Sequence, residues 1–202
     1  DPEDVKVLFG NSDQVAAFSD KFLSDLKQAA QSIYVIPKAL RWSSKRKRNN
    51  QAAESIAPEG AEAAGMSELE KDRATFVGQI FVAHMTQMEK VYTDNLKNHD
   101  AANKKLQVVQ RIPKVGFWLS ECQKGAMDLT TAWDLDSLLV KPVQRILKYP
   151  LILRDLLEST PKDHPDHAAI SNALEEVTNV SHRINELKKR VDLVGQAVGR
   201  KR

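Results

Sequence analysis

The stretch LLVKPVQRILKYPLILRDLLEST, which runs from Leu138 to Thr160, decides the fold of this chain. Its apolar residues recur at steps of three and four, which is the spacing of an amphipathic helix. Pro142 and Pro150 nevertheless lie inside that pattern. An interior proline removes a backbone donor and clashes with the preceding turn, so ordinary core helices avoid it. The stretch is therefore an unusual helical segment whose prolines need a structural reason.

Polar side chains stand among the aliphatic residues of this stretch. Gln144 and Lys148 are four residues apart, so on a helix they share one face and lie one turn from each other. An amide followed by an ammonium group is a poor core pair, but it makes a suitable rim for a partner's carbonyls and carboxylates. On spacing alone, the simpler interpretation is that both side chains are solvated.

The composition is that of one large domain, or of one domain with an insertion. The chain has 202 residues, of which 42% are hydrophobic. Its 30 Lys and Arg residues face 27 Asp and Glu residues, and this net charge is too small to favour nucleic acid as a partner. Cys122 is the only cysteine, and no apolar run approaches the roughly 20 residues of a membrane span. Without a leader-like start either, the sequence predicts a cytoplasmic protein.

Helical spacing extends along most of the chain, and no sustained strand alternation interrupts it. The pattern predicts helices from about Ser12 to Ser32, from about Glu68 to Asn98, on the short stretch NHDAANKKLQVVQR, after Pro113, and from Pro165 or Asp166 onward. The predicted fold class is therefore all-α, an elongated helical bundle. Phe117 and Trp118 are expected to pack in its core, and His84 is expected to be a core or boundary histidine.

Two segments have a composition that does not form a core. The segment at about 38–70 is polar and rich in Ala, Glu and Gly, so it is predicted to be a flexible insertion. Residues 196–202 are predicted to be a basic linker to a following domain. The basic clusters are Lys45-Arg46-Lys47-Arg48 and Arg200-Lys201-Arg202. Solvated charge is the simpler interpretation of both, and attraction to an anionic membrane surface, worth roughly 1 kcal/mol per basic residue, is the alternative.

Motifs for covalent, phosphate-binding or metal chemistry are absent from the sequence. It contains no GxxxxGK[ST], GxGxxG, HExxH, CxxC or GxSxG pattern. His164 and His167 flank Pro165 in a predicted turn, and both are expected at the surface. The sequence therefore predicts no cofactor, no metal ligands and no covalent catalysis.

The motif KPVQRxxKYPLxL closely resembles the most distinctive helix of the Dbl-homology (DH) domain. Three further segments resemble that family in the expected order: VLFGNSDQVAAFSDKFLSDL, VGQIFVAHMTQMEKVYTDNLKNHDAANKKL and SHRINELKKR. The resemblance implies a DH domain over residues 1–195. It also implies an exchange factor that releases GDP from Rho-family small GTPases without covalent chemistry.

The resemblance assigns roles to individual residues. Lys148, in the KYP step, is expected to contact switch II of the GTPase, and Gln144 is expected to line the same surface. Asn185 is expected to hydrogen-bond to switch II from the last helix. Val140 stands where the family places an apolar residue that helps to choose among Rho GTPases.

Arg145 and Lys141 are assigned structural or secondary roles, and Arg145 is expected to tie helices together. The family's first helix, whose glutamate engages switch I, would lie before Val5 and is expected to be absent from this chain. On that ground the chain is expected to bind a GTPase and to exchange poorly. The ending VDLVGQAVGRKR is similar to exchange factors in which a BAR domain follows.

Two other functions stay open at this point. One is a non-catalytic DH-type scaffold that binds a GTPase or another partner without exchange. The other is a membrane-surface helical protein that uses the two basic clusters, which would fit recruitment to the cell cortex or plasma membrane. It predicts binding to anionic vesicles that weakens with salt.

Overall fold

The computed structural model describes residues 1–30, 65–130, 132 and 134–199, with side chains as far as residue 190. Every regular element in these ranges is an α-helix, in agreement with the predicted all-α class. The helices are α1 (Pro2–Phe9), α2 (Ser12–Ala29), α3 (Glu68–Arg73), α4 (Val77–Val109), α5 (Pro113–Ala126), α6 (Leu135–Leu139), α7 (Lys141–Ile146), α8 (Tyr149–Ser159) and α9 (His167–Gly199).

The two long helices α4 and α9 pack together at the centre of the bundle. The apolar stripe predicted for the last helix is buried as far as Ile184, and it comprises Ile170, Ala173, Val177, Val180 and Ile184. Helix α2 adds two aromatic rings, Phe18 and Phe22, which stack on each other with centroids 5.7 Å apart. Helix α8 closes the core with Leu153, which is fully buried.

A buried carboxylate joins the start of α4 to the start of α9. Asp166 accepts hydrogen bonds from the backbone N–H of Gly78 at 2.6 Å and of Gln79 at 3.2 Å. It thereby satisfies two of the free N–H groups in the first turn of α4, which has no side-chain cap of its own. Burial raises the pKa of Asp166 despite these two hydrogen bonds.

His164 belongs to the same buried junction, so the prediction of a surface histidine is wrong. Its side chain is only 6% exposed. Its Nδ1 accepts from the backbone N–H of Asp166 at 3.1 Å, and its Nε2 lies 3.0 Å from the carbonyl oxygen of Asp72. Since Nδ1 is the acceptor, Nε2 is the nitrogen that donates. The turn is therefore fixed to α3 rather than solvated.

Several predicted helix boundaries are also wrong. Helix α1 was not predicted, although Asp1 caps it by accepting from the N–H of Glu3 at 3.2 Å. The helix predicted from Glu68 onward is two helices with a break at residues 74–76. Conversely, α4 continues without a turn through NHDAANKKLQVV, because Asn98 on this stretch donates to the carbonyl oxygen of Val7 at 3.0 Å and so packs against α1.

The predicted burial of Phe117 and Trp118 is wrong, because their side chains are 70% and 60% exposed. No residue of α5 is fully buried. The prediction for His84 is confirmed: it is 8% exposed, and its Nε2 lies 2.7 Å from the Asp25 carboxylate.

Three predictions concern residues that lie wholly or partly outside the described ranges. These residues are 38–64 of the insertion, the cluster Lys45-Arg46-Lys47-Arg48, and the cluster Arg200-Lys201-Arg202. The end of the predicted insertion holds the start of α3, where Ser67 and Glu70 form a reciprocal capping box. Helix α9 extends to Gly199, into the segment predicted to be a linker. A BAR domain after residue 202 stays a prediction.

Candidate functional site

Three short helices replace the long helical segment that the apolar spacing of residues 138–160 predicts. Helix α6 ends at Leu139, and α7 and α8 follow it. Pro142 and Pro150 are the second residues of α7 and α8. The first N–H groups of a helix have no intrahelical acceptor, so a proline there removes no hydrogen bond. The two prolines therefore begin helices rather than interrupt one.

The backbone stays helical at the two junction residues, Val140 and Lys148. Both residues have right-handed helical backbone angles, with φ and ψ of −83° and −16° for Val140 and of −86° and −25° for Lys148. The N–H of Gln144 donates to the carbonyl oxygen of Val140 at 3.1 Å, and that of Ile152 donates to Lys148 at 3.2 Å. Val140 therefore shares a face with Gln144, and Lys148 shares one with Ile152. Between them, the N–H of Lys148 donates to the carbonyl oxygen of Arg145 at 3.0 Å, so a tighter turn separates Gln144 from Lys148.

One face of α7 and α8 is open to solvent. We call it the exposed stripe, and it consists of Gln144, Lys148, Leu151 and Ile152. The side chains of Leu151 and Ile152 are 56% and 54% exposed. On the opposite face Val143, Ile146 and Leu153 are buried and hold the two helices on the core. Neither Leu151 nor Ile152 was among the predicted site residues, although their positions three and four residues after Lys148 were a usable signal.

The position of Asn185 on α9 follows from a contact between α9 and α7. The Ser181 hydroxyl donates to the carbonyl oxygen of Ile146 at 3.4 Å, which joins α9 to the end of α7. Asn185 lies one turn further along the same face of α9, and its side chain is exposed. Ile184 is buried beside it and fixes the rotation of the helix. Asn185 of α9 and Lys148 at the junction of α7 and α8 therefore both reach solvent within a turn of the contact between Ser181 and Ile146.

Arg145 has a partner inside the protein. Its Nε donates to the hydroxyl of Tyr149 at 3.3 Å, and this hydrogen bond raises the pKa of the guanidinium. The Tyr149 ring lies 5.4 Å from the Phe81 ring and 6.1 Å from the Phe22 ring, so it connects α8 to α4 and α2. Burial, the neighbouring Tyr149 hydroxyl and its hydrogen bond raise the pKa of Tyr92.

The two remaining site predictions fall at the start of α7. Val140 is half-buried, so part of its side chain is open to a partner. Lys141 is exposed at the first residue of the helix. Lys141, Gln144 and Lys148 therefore give this surface cationic and amide groups.

The described residues contain neither a cluster of metal ligands nor a membrane-spanning helix. No group of three or more His, Cys, Asp or Glu side chains within them could hold a metal ion. None of the described helices combines the length and apolar character needed to cross a membrane.

Comparison with known sequences identifies a family for this chain. Residues 1–185 match the family model of the RhoGEF domain. The chain is 38% identical to the dynamin-binding protein of Canis lupus familiaris over 124 residues, which are 58% of this chain and 8% of that protein. It is 35% identical over 127 residues to Rho guanine nucleotide exchange factor 38 of Mus musculus, covering 58% of this chain and 16% of that protein.

Among solved structures, the fold is similar to the crystal structure of the DH domain of FARP2. The TM-score is 0.63 at 20% identity, over 98% of this chain and 77% of that one. At this identity the likeness establishes the helical architecture alone. The chain spans less than a fifth of the length of the two relatives above.

Proposed function

Because the chain belongs to the RhoGEF domain family, we propose that it binds a Rho-family small GTPase through switch I and switch II and promotes release of GDP. The observation that carries this proposal is the exposed stripe with Asn185 beside it. Gln144 and Lys148 are solvated on a rigid support, because Val143 and Ile146 beneath them are buried.

The side chains of this surface suit a switch segment whose backbone is partly unfolded. Lys148 supplies an ammonium group for a carboxylate or for carbonyl oxygens, and Gln144 and Asn185 supply amides that both donate and accept. Leu151 and Ile152 offer apolar area next to these polar groups. Val140, at the other end of α7, contacts the partner where side-chain size distinguishes one GTPase from another.

Exchange of this kind needs no nucleophile and no bound metal on the factor. A protein that binds the nucleotide-free GTPase more tightly than the GDP-bound form shifts the population toward the open state, by as much as its differential affinity. By linkage it lowers the affinity for nucleotide by the same factor. The chain therefore acts as an exchange factor through contacts that form only in the open state.

Release of a fluorescent GDP analogue from a panel of Rho, Rac and Cdc42-type GTPases tests the proposal. We expect the chain to accelerate release from at least one member, and to bind that member more tightly when the nucleotide is removed. Binding that is equal for nucleotide-free and GDP-bound forms, without accelerated release, would contradict exchange and would instead identify a non-catalytic scaffold.

A further inference from the structure

A second exposed surface lies at the end of α4 and on α5. We call it the apolar tip, and it consists of Val108 (61% exposed), Ile112 (48%), Phe117 (70%) and Trp118 (60%). Large apolar side chains that are exposed singly are normal on a protein surface, whereas a contiguous group marks an interaction site. The tip has no part in the proposed exchange surface.

The turn between α4 and α5 explains why these residues are displayed together. The N–H groups of Val115 and Gly116 both donate to the carbonyl oxygen of Ile112 at 2.9 Å, so α5 begins at once after Ile112, three residues beyond the end of α4. Val115 and Leu119 then attach one face of α5 to the small cluster of Leu8, Leu106 and Val109. The other face of α5 presents Lys114, Phe117 and Trp118, which are spaced as one helical stripe.

Two cations accompany the apolar tip. Arg111 and Lys114 are exposed, and neither forms an ion pair with any of the residues that the structure describes. The acidic group two turns beyond Lys114 on α5 is Glu121, which pairs with Lys124 at 2.7 Å. The surface thus combines aromatic and aliphatic side chains with two positive charges that no described acidic group compensates.

We propose that the apolar tip inserts into the interface of an anionic lipid bilayer, with Arg111 and Lys114 contacting the headgroups. A bilayer interface favours Trp and other large apolar side chains on one face, flanked by basic residues that reach anionic headgroups. The uncompensated cations favour a negatively charged partner. The residues of this surface are not those of the basic clusters at 45–48 and 200–202.

The tip is also remote from the exposed stripe. Phe81 of α4 packs against Tyr149, which follows Lys148 directly. Tyr92 of α4 also interacts with Tyr149, and Val108 lies about 24 Å further along the helix than Tyr92 at 1.5 Å per residue. Membrane contact at the tip therefore leaves Gln144 and Lys148 accessible, whereas Trp118 lines a cavity with Leu138, two residues before Val140.

Co-sedimentation with vesicles of phosphatidylcholine containing about 30% phosphatidylserine tests the proposal. We expect Phe117→Ser to weaken binding about tenfold or more, because it removes a large side chain from the apolar layer. Lys114→Glu should weaken binding about fivefold or more, since each basic residue near an anionic membrane surface raises the affinity about fivefold. Matched controls are Leu69→Ser, at a site with 64% exposure on α3, and Lys162→Glu, and both should bind like the wild type.

Fluorescence of Trp118 distinguishes insertion from electrostatic attachment by the basic clusters. In a Trp42→Phe/Trp133→Phe variant, Trp118 is the only tryptophan of the chain. A blue shift of its emission on addition of anionic vesicles, with quenching by brominated lipids, is the expected result. The proposal is overturned if the emission maximum does not shift or if Phe117→Ser binds vesicles like the wild type. It is also overturned if the wild type binds no vesicles, and a protein partner would then cover the tip.

Discussion

Replacement of Gly78 by alanine tests the contact between the two central helices. Gly78 is the second residue of α4, and an added Cβ would lie 2.6 Å from the carbonyl carbon of Ala169 and 2.8 Å from the Cα of Ile170. Both neighbours are backbone atoms of α9, so no side-chain rotation relieves the clash. The helices must therefore move apart at this point.

The expected loss follows from two effects. Overpacking of a core costs about 1–3 kcal/mol, and this site belongs at the upper end because the opposing atoms are backbone. Separation also weakens the 2.6 Å hydrogen bond from the Gly78 N–H to Asp166, and a hydrogen bond to a charged group contributes about 1.5–3 kcal/mol. The higher helix propensity of alanine offsets at most about 1 kcal/mol of this loss in unfolding free energy. We expect the free energy of unfolding to fall by about 3 kcal/mol, which for a chain of this size lowers Tm by about 6–12 °C.

Thermal and urea unfolding of the variant measure this loss, and Gly125→Ala is the matched control. Gly125 lies inside α5, and a Cβ there meets nothing within 4 Å. The control should therefore unfold at or slightly above the wild-type midpoint, by up to about 1 kcal/mol. A Gly78→Ala protein with the wild-type midpoint would refute the reasoning, and so would equal losses in both variants.

Two further predictions concern hydrogen bonds of the core. The hydrogen bond from His84 is the chief cause that holds the pKa of Asp25 below its usual range. The charged carboxylate therefore stabilises the fold at pH values above its unfolded-state pKa. This contribution is lost as the pH falls through the lower folded-state pKa. Asp25→Asn should lower the unfolding midpoint at about pH 6, and the difference from the wild type should shrink as the pH falls below about 4. A pH-independent difference would contradict this. For Arg145 and Tyr149, a double-mutant cycle of Arg145→Ala and Tyr149→Phe should show about 0.5–1 kcal/mol of coupling in unfolding free energy, and strict additivity would show that their hydrogen bond contributes nothing.

The sequence predicts the helices well where one apolar period decides the structure. Val177, Val180 and Ile184 are buried as their spacing indicates, because α9 packs along its length on both α4 and α8. The same reasoning fails for Phe117 and Trp118. Their helix packs only through the opposite face, and no local pattern shows which of two apolar faces finds a partner.

Contacts between distant parts of the chain were the other source of error. His164 is buried because it meets the carbonyl of Asp72, and spacing within a turn does not reveal such a partner. The candidate site shows the same division. The helical repeat predicts that Gln144 and Lys148 share a face, whereas the place of Asn185 depends on the contact between Ser181 and Ile146, which only the folded chain brings together.

The rate of GDP release tests the central claim most directly. Lys148→Ala and Asn185→Ala should each slow the accelerated release by about tenfold or more, equivalent to about 1.4 kcal/mol of contacts with the nucleotide-free GTPase. Both side chains are exposed, so the unfolding midpoints should not change, and Lys162→Ala is the matched surface control. Release at the wild-type rate by both variants, on a GTPase that the wild type activates, would contradict the account.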